Sequence, residues 1–185
     1  MIRVRIGARL QPCRHVTKKG TGFSAAMSIP TRYSDPSRIL AGSRTFFVTS
    51  SISEKRNLLQ PDRSAGLFIG VLYEYREQNK CHLHEFVVMP DHFHLLLTVD
   101  SSMTIEKAVQ LIKVDLRLAP ERNWVFERRF GKGDSELRIN EGEAYSRVAE
   151  YIRNNPVERG LAWIAEGSPY SSAFPGFEVD PAPQG

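Results

Sequence analysis

The alternation of apolar and polar positions is sharpest between Phe86 and Val99. Phe86-Val87-Val88-Met89 forms one apolar run, Pro90-Asp91 breaks it, and His92-Phe93-His94-Leu95-Leu96-Leu97-Thr98-Val99 resumes it. Pro presets the backbone at the first corner of a tight turn and Asp suits the second, so the two runs predict the arms of a hairpin. Alternate side chains on a strand share a face. His92 and His94 therefore project together, while Phe93, Leu95, Leu97 and Val99 point the other way into a core.

The same reading extends to both sides. Arg44–Ile52 is rich in β-branched and aromatic residues and predicts a first strand. Asp62–Gln78 predicts a helix: Pro61 and Asp62 mark its start, and Leu67, Phe68, Val71, Leu72 and Tyr75 form a stripe at helical spacing. Cys81–Met89 is the full first arm of the hairpin. Thr104–Leu118 predicts a second helix, capped by Thr104 or a nearby serine, with Ile105, Val109, Ile112 and Leu116 inward and Pro120 as its stop. Trp124–Ile139 reads as a loop or short strand. Asn140-Glu141-Gly142-Glu143 has capping-box spacing, with Asn in place of Ser or Thr, and opens a third helix through about Asn154. Pro156 is expected to end or restart that helix, and Gly160 to stop a short turn over Pro156–Arg159. From Ala165 the chain reads as a trailing loop. Strand, helix, strand, strand, helix, possible strand and helix predict an α+β, ferredoxin-like sandwich, an antiparallel sheet with helices on one face.

Composition narrows the class. The chain has 185 residues, 41% hydrophobic and 25% charged, which fits one globular domain of ordinary size. No apolar run approaches the roughly 20 residues of a membrane helix. With no signal-peptide core either, a cytoplasmic protein without a membrane partner is expected. Cys13 and Cys81 form no disulfide framework and are expected to be reduced and idle. The formal charge of +4 suits a nucleic-acid binder but does not single one out. Residues 1–43 differ from the rest: Arg3, Arg5, Arg9, Arg14, Lys18 and Lys19 fall in the first twenty positions with no acidic residue. That stretch is expected to be a disordered basic extension. It could add affinity for phosphates, do nothing, or precede a translation start at Met27. The domain is expected over residues 44–173, with a tail over 174–185.

Two groups of residues could carry chemistry. His92 and His94 offer two imidazole nitrogens from one strand face, as a divalent cation beside a phosphate requires. Alone they read more readily as surface histidines near a turn than as ligands. His82 and His84 repeat the spacing but lack the apolar run, and read as solvated strand-edge histidines. In the third helix, Arg147, Tyr151 and Asn155 share a face at i, i+4 spacing, with Ala144, Val148 and Ile152 on the neighbouring face. Taken singly, Tyr151 is a packed aromatic and Asn155 an N-cap for the turn at Pro156. Tyr145 falls on another helix face. Arg128, Arg129, Lys132, Arg153 and Arg159 could bind phosphates or simply be solvated. Phe130 and Trp124 are candidates for stacking on bases.

Together these segments carry a resemblance. Met89-Pro90-Asp91-His92-Phe93-His94-Leu95-Leu96-Leu97 resembles the His-hydrophobic-His motif of single-tyrosine HUH transposases, which are IS200-like. Tyr151-Ile152-Arg153-Asn154-Asn155-Pro156-Val157-Glu158-Arg159-Gly160-Leu161, about sixty residues on, is similar to the tyrosine helix of their REP-associated branch. Tyr170-Ser171-Ser172-Ala173 is similar to the segment that closes that domain. The resemblance covers about Arg44 to Ala173 and leaves the basic extension unexplained. It implies a ferredoxin-like domain of the HUH endonuclease type acting on single-stranded or hairpin, REP-like palindromic DNA. It further implies that His92, His94 and Asn155 bind Mg²⁺ or Mn²⁺, that Tyr151 is the nucleophile, and that cleavage leaves a 5′-phosphotyrosine and a 3′-hydroxyl. A monomer or homodimer is expected. The competing expectation is a non-catalytic DNA- or RNA-binding protein on the same fold.

Overall fold

The computed structural model describes residues 43–51, 57, 59, 62–118, 135–140 and 142–183, the side chains of 115–118 excepted. Residues 1–42, Ile52, Trp124, Arg128, Arg129, Phe130, Lys132, Glu141 and the side chain of Leu116 lie outside the described residues. The elements are β1 (Arg44–Ser51), α1 (Asp62–Glu77), β2 (His82–Val88), β3 (His92–Val99), α2 (Ile105–Leu118), β4 (Ser135–Ile139) and α3 (Gly142–Glu158). The sheet order is β2-β3-β1-β4 and every pairing is antiparallel. This is the expected α+β arrangement. Thr104 caps α2, accepting the Lys107 N–H at 3.3 Å.

The hydrophobic pattern divides between two faces of the sheet. Phe46, Val48, Phe93, Leu95, Leu97 and Val99 join Phe86 and Val88 against Phe68, Leu72, Val109 and Ile112 of α1 and α2. On the other face Val87, Met89 and Leu96 meet Ala149 and Ile152 of α3, flanked by Phe47, Val148 and Tyr151. The helices therefore do not all lie on one face, as the sequence pattern suggested. β3 is the physical reason: Leu96 stands among the polar residues of its second face and gives α3 an apolar seat. All eight residues of β3 are buried.

Two further expectations are corrected. α3 neither ends nor restarts at Pro156 but runs through it to Glu158. Proline removes only its own N–H, and the ladder continues beyond it, with the Arg159 N–H donating to Asn155 O at 3.1 Å. The helix then closes at Gly160, which takes φ +69°. The Leu161 N–H reaches back to Pro156 O at 2.8 Å and the Gly160 N–H to Val157 O at 3.0 Å, the paired bonds of a Schellman cap. Second, His84 is buried rather than solvated, while His82 is exposed. An irregularity in the β2–β3 register between Leu83 and Glu85 leaves His84 as an extra residue. The bulge turns His84 and Glu85 both towards α3. His84 Nε2 bonds Thr98 Oγ1 at 2.7 Å and its ring stands edge-on to Tyr145.

Glu85 ties three segments together. Its carboxylate, only 4% exposed, pairs with the Arg153 guanidinium of α3. It also accepts the Ser172 hydroxyl at 2.6 Å. The C-terminal segment covers the open edge of β2: the Val88 N–H donates to Tyr170 O and the Ser172 N–H to Phe86 O, both at 2.9 Å. Farther on, the Leu83 N–H donates to Asp180 Oδ2 at 2.8 Å and Arg76 Nη2 lies 2.9 Å from Asp180 Oδ1. The trailing stretch thus has only one 3₁₀ turn, Ala165–Gly167, but packs Phe177 and Val179 on the first core.

Removing the Arg153 side chain strands a buried carboxylate, so Arg153→Ala is expected to cost about 3 kcal/mol in urea unfolding. Asp180→Ala is expected to cost about 2 kcal/mol at neutral pH through its lost charge-assisted hydrogen bonds. That second effect has a pH signature. Burial raises the Asp180 carboxyl, but the Arg76 guanidinium and the Leu83 N–H outweigh it and hold the group below its ordinary value. A depressed folded value stabilises fully above the unfolded one, near pH 4, and is lost as pH falls through the folded value. The gap between wild type and Asp180→Ala should stay constant from about pH 7 to 5 and close in acid. A gap that persists undiminished in acid would remove the ion pair from this account.

Candidate active site

The hairpin presents its histidines rigidly. The Met89 N–H donates to His92 O at 2.9 Å across the Pro90-Asp91 turn, and the Leu59 N–H holds Pro90 O at 2.9 Å. Register sets Thr49 of β1 opposite His94 and Ser51 opposite His92. The two imidazole rings stand 4.9 Å apart.

Hydrogen bonds assign the tautomers. His92 Nδ1 lies 2.6 Å from Asp91 Oδ1. A carboxylate only accepts, so Nδ1 carries the proton of that bond and Nε2 is the nitrogen left to face the site. His94 Nδ1 lies 2.8 Å from Thr49 Oγ1. His94 Nε2 is buried with no hydrogen-bond partner. Placing the proton on Nδ1 leaves Nε2 a bare acceptor and avoids a buried orphan N–H. Burial pushes the His94 imidazole down to about 3, helped by the neighbouring His92 and Arg159 charges and opposed by Asp91. The ring is therefore neutral at any working pH, the form that ligates metals.

α3 brings its residues in from above. Successive residues of a helix turn by about 100°. With Ile152 seated on the sheet, Tyr151, Asn155 and Arg159 fall on one flank at i, i+4, i+8, and Arg153 falls on the other. The Tyr151 ring lies edge-on to His94 at 5.3 Å and to Phe47 at 6.0 Å. Phe47 in turn stacks on His94 at 5.4 Å. Asn155 is buried within the helix, so it is not the N-cap of a new turn. Its side chain hydrogen-bonds the Tyr151 hydroxyl. Asn155 Oδ1 has no hydrogen-bond partner, so the amide N–H₂ makes that bond and the oxygen is left over. The Tyr151 phenol is held above its ordinary value, by burial first and then by Glu158, against the opposing pull of Arg159 and Asn155.

Of the residues singled out in the sequence, the structure gathers His92, His94, Tyr151 and Asn155 at one place. Arg159 stands on the same flank of α3, exposed, its charge bearing on both His94 and Tyr151. Arg153 is half-exposed on the opposite flank with Glu85 as its partner. Three supports were not foreseen: Thr49, Asp91 and Phe47. The signal for Thr49 and Phe47 lies in β1, where Thr45, Phe47 and Thr49 alternate with the core residues Phe46 and Val48, but only the β1–β3 register shows which histidine they meet; Asp91 sits in the hairpin turn next to His92.

The donor set fits a divalent cation. His94 Nε2 and Asn155 Oδ1 are buried acceptors without a partner among the described residues, an unusual cost in a folded protein. Imidazole and carbonyl oxygen both suit such ions. Among the described residues no group of three His, Cys, Asp or Glu could hold a metal, so a site here would need the amide oxygen beside the two imidazoles.

Known proteins resemble this chain in sequence pattern and in fold. Residues 47–119 match the family model described as transposase IS200-like. Among solved structures, a REP-associated tyrosine transposase bound to a REP hairpin superposes with a TM-score of 0.63 at 19% identity, over 85% of this chain and 93% of that one. A candidate transposase from Deinococcus radiodurans gives 0.44 at 20% identity, over 60% of this chain and 90% of that one. No curated protein sequence matches the chain. The first of these structures has the same four-stranded α+β fold, and the family match runs from β1 through the histidine hairpin to the end of α2. Over residues 47–119 the chain is similar to the IS200-like transposases.

Proposed function

We propose that the protein is a metal-dependent single-stranded DNA strand transferase that works through Tyr151. One observation carries the reading. The Tyr151 ring packs on His94 beside two buried acceptor atoms, His94 Nε2 and Asn155 Oδ1, that nothing among the described residues satisfies. His92, His94 and Asn155 would hold Mg²⁺ or Mn²⁺. Such an ion neutralises charge on the scissile phosphate and orients it for attack. The Tyr151 oxygen attacks phosphorus, the bond to the 3′ oxygen breaks, the phenol gives up its proton and the departing oxygen takes one up. The products are a 5′-phosphotyrosine and a free 3′-hydroxyl. A second 3′-hydroxyl can reverse the step on another strand, because the phosphotyrosine retains the bond energy. Neutral Tyr151 is a poor nucleophile on its own, which keeps the chain inert without substrate.

The REP-associated tyrosine transposase that superposes at a TM-score of 0.63 is bound to a REP hairpin. A hairpin or REP-like palindrome with a single-stranded segment is the substrate class proposed here. Arg159 faces the phosphate from the site flank. Arg128, Arg129 and Lys132 are proposed to contact the DNA backbone farther off, and Arg153 to do so only with the part of its guanidinium that Glu85 leaves open. His92, His94, Tyr151 and Asn155 meet within this one chain, and a monomer or homodimer is proposed as the working form. No helix among the described residues is long and apolar enough to cross a membrane.

The experiment is incubation of labelled, hairpin-bearing single strands, taken from palindromes flanking the gene, with Mg²⁺ or Mn²⁺. An SDS-resistant protein–DNA adduct is expected in wild type and none in Tyr151→Phe. Tight binding of that DNA by wild type with no adduct would leave the non-catalytic binding protein as the surviving reading. Metal affinity gives an independent measure. Thr49→Val and Asp91→Asn each loosen one imidazole, and each is expected to weaken Mn²⁺ binding about 10- to 100-fold by electron paramagnetic resonance titration. Unchanged Mn²⁺ affinity in both, or in His94→Ala, rules out this donor set.

A further inference from the structure

The loop that leaves α3 exposes three large apolar side chains in four positions: Leu161 at 50%, Trp163 at 87% and Ile164 at 61%. Solvent-facing tryptophan at that level is rare, because indole is large and usually buried in good part. The loop is not loosely hung. Leu161 and Ala162 N–H both donate to Pro156 O, at 2.8 and 3.3 Å, and the Gly167 N–H closes on Ile164 O at 3.0 Å. The Schellman cap thus fixes where the tryptophan is presented, four residues beyond Arg159.

We propose that Trp163, flanked by Leu161 and Ile164, is a stacking platform for an unpaired base of the DNA strand that runs through the site, with Arg159 on the adjoining phosphate. The inference rests on the strand-transfer reading above and names a subsite for it. Three observations favour a nucleotide over a second copy of this chain. Three side chains are far too few for a stable protein interface, which takes about 20–30 residues a side. The loop follows directly on the end of α3, the helix that carries Tyr151 and Asn155, and its first bonds are made to Pro156 O. Finally, single strands are held by cationic groups on phosphates and aromatic faces on bases, and Arg159 and Trp163 supply one of each within five positions. Glu158 and Glu166 are also exposed beside the loop. Phosphate attraction there is modest, so the aromatic contact must carry the affinity.

The test uses the full chain with the probe (dT)₁₂ and, as control, the (dT)₁₂·(dA)₁₂ duplex. Binding is read by anisotropy of labelled strand and stacking by quenching of tryptophan emission with unlabelled strand. Wild type is expected to bind (dT)₁₂ with quenching. Trp163→Ala should bind roughly tenfold more weakly, lose most of the quenching and leave duplex binding as it was. Trp163→Phe should recover most of the affinity without the quenching. Both variants alter an exposed residue, and matching thermal melts confirm that they fold. If Trp163→Ala binds (dT)₁₂ like wild type, the platform is wrong. It is wrong too if Trp163→Ala only turns a sedimenting dimer into a monomer, which assigns the patch to a second copy. Adduct formation separates the two readings. A wild type that forms adduct while Trp163→Ala matches it at every DNA concentration overturns only the platform. A wild type that neither binds (dT)₁₂ nor forms adduct overturns both.

Discussion

A strand buried on both faces must find a partner for every polar atom it carries, and β3 carries two imidazoles to the face that α3 covers. This constraint organises the molecule. Leu96 and Val87 make that face apolar enough to seat Ala149 and Ile152, and the seat places a helix over the histidines. Thr49 and Asp91 then satisfy one nitrogen of each ring. What they leave over is directional: His94 Nε2 and Asn155 Oδ1 remain as buried acceptors beside Tyr151. An acceptor buried without a donor costs on the order of 1–3 kcal/mol, so the pair is a standing expense in stability that a cation would remove.

Burial acts on the two central side chains in opposite directions and leaves both neutral. It lowers His94 and raises Tyr151. The consequences differ. A neutral imidazole is already a ligand, whereas a neutral phenol is not yet a nucleophile. Under the proposed reading, the fold thus prepares the ligands and leaves the tyrosine dormant. Asn155 joins the two roles through one amide, its nitrogen on the phenol oxygen and its oxygen among the ligand atoms. A change at the oxygen is felt at the phenol through a single rigid group. Under the proposed reading, this is the shortest route by which occupancy of the site could reach the nucleophile.

Much of this was legible in the chain. The bounds of β3 follow from its turn and its period of two, and the i, i+4 spacing of Tyr151 and Asn155 places them on one flank. What escaped the sequence shares a physical reason. Thr49 and Asp91 matter through register and turn closure, and register is a relation between strands rather than a property of either. The bulge that buries His84 and Glu85 is likewise invisible until β2 is laid against β3. Pro156 misleads because the rule against interior proline concerns one lost hydrogen bond, and here the following turn makes its own. The C-terminal stretch has no period to read, since it packs through single contacts such as those of Asp180.

The Glu85–Arg153 pair bears on a problem that the apolar seat leaves open. Ala149 and Ile152 rest on Val87, Met89 and Leu96, and apolar burial is non-directional, so it does not by itself fix how the helix is rotated. A rotation by one residue, about 100°, would carry Tyr151 away from His94. Arg153 sits one residue past Ile152, on the flank away from the site, and its carboxylate partner is buried in the edge strand. Charge pairs of this kind add little net stability but penalise arrangements that separate them. The penalty here falls on every rotation that withdraws Arg153 from Glu85, and those are the rotations that withdraw Tyr151 from the histidines. Ser172 binds the same carboxylate, so the chain's closing segment bears on the same helix setting. The flank of α3 that takes no part in the chemistry thus decides which side chains face it.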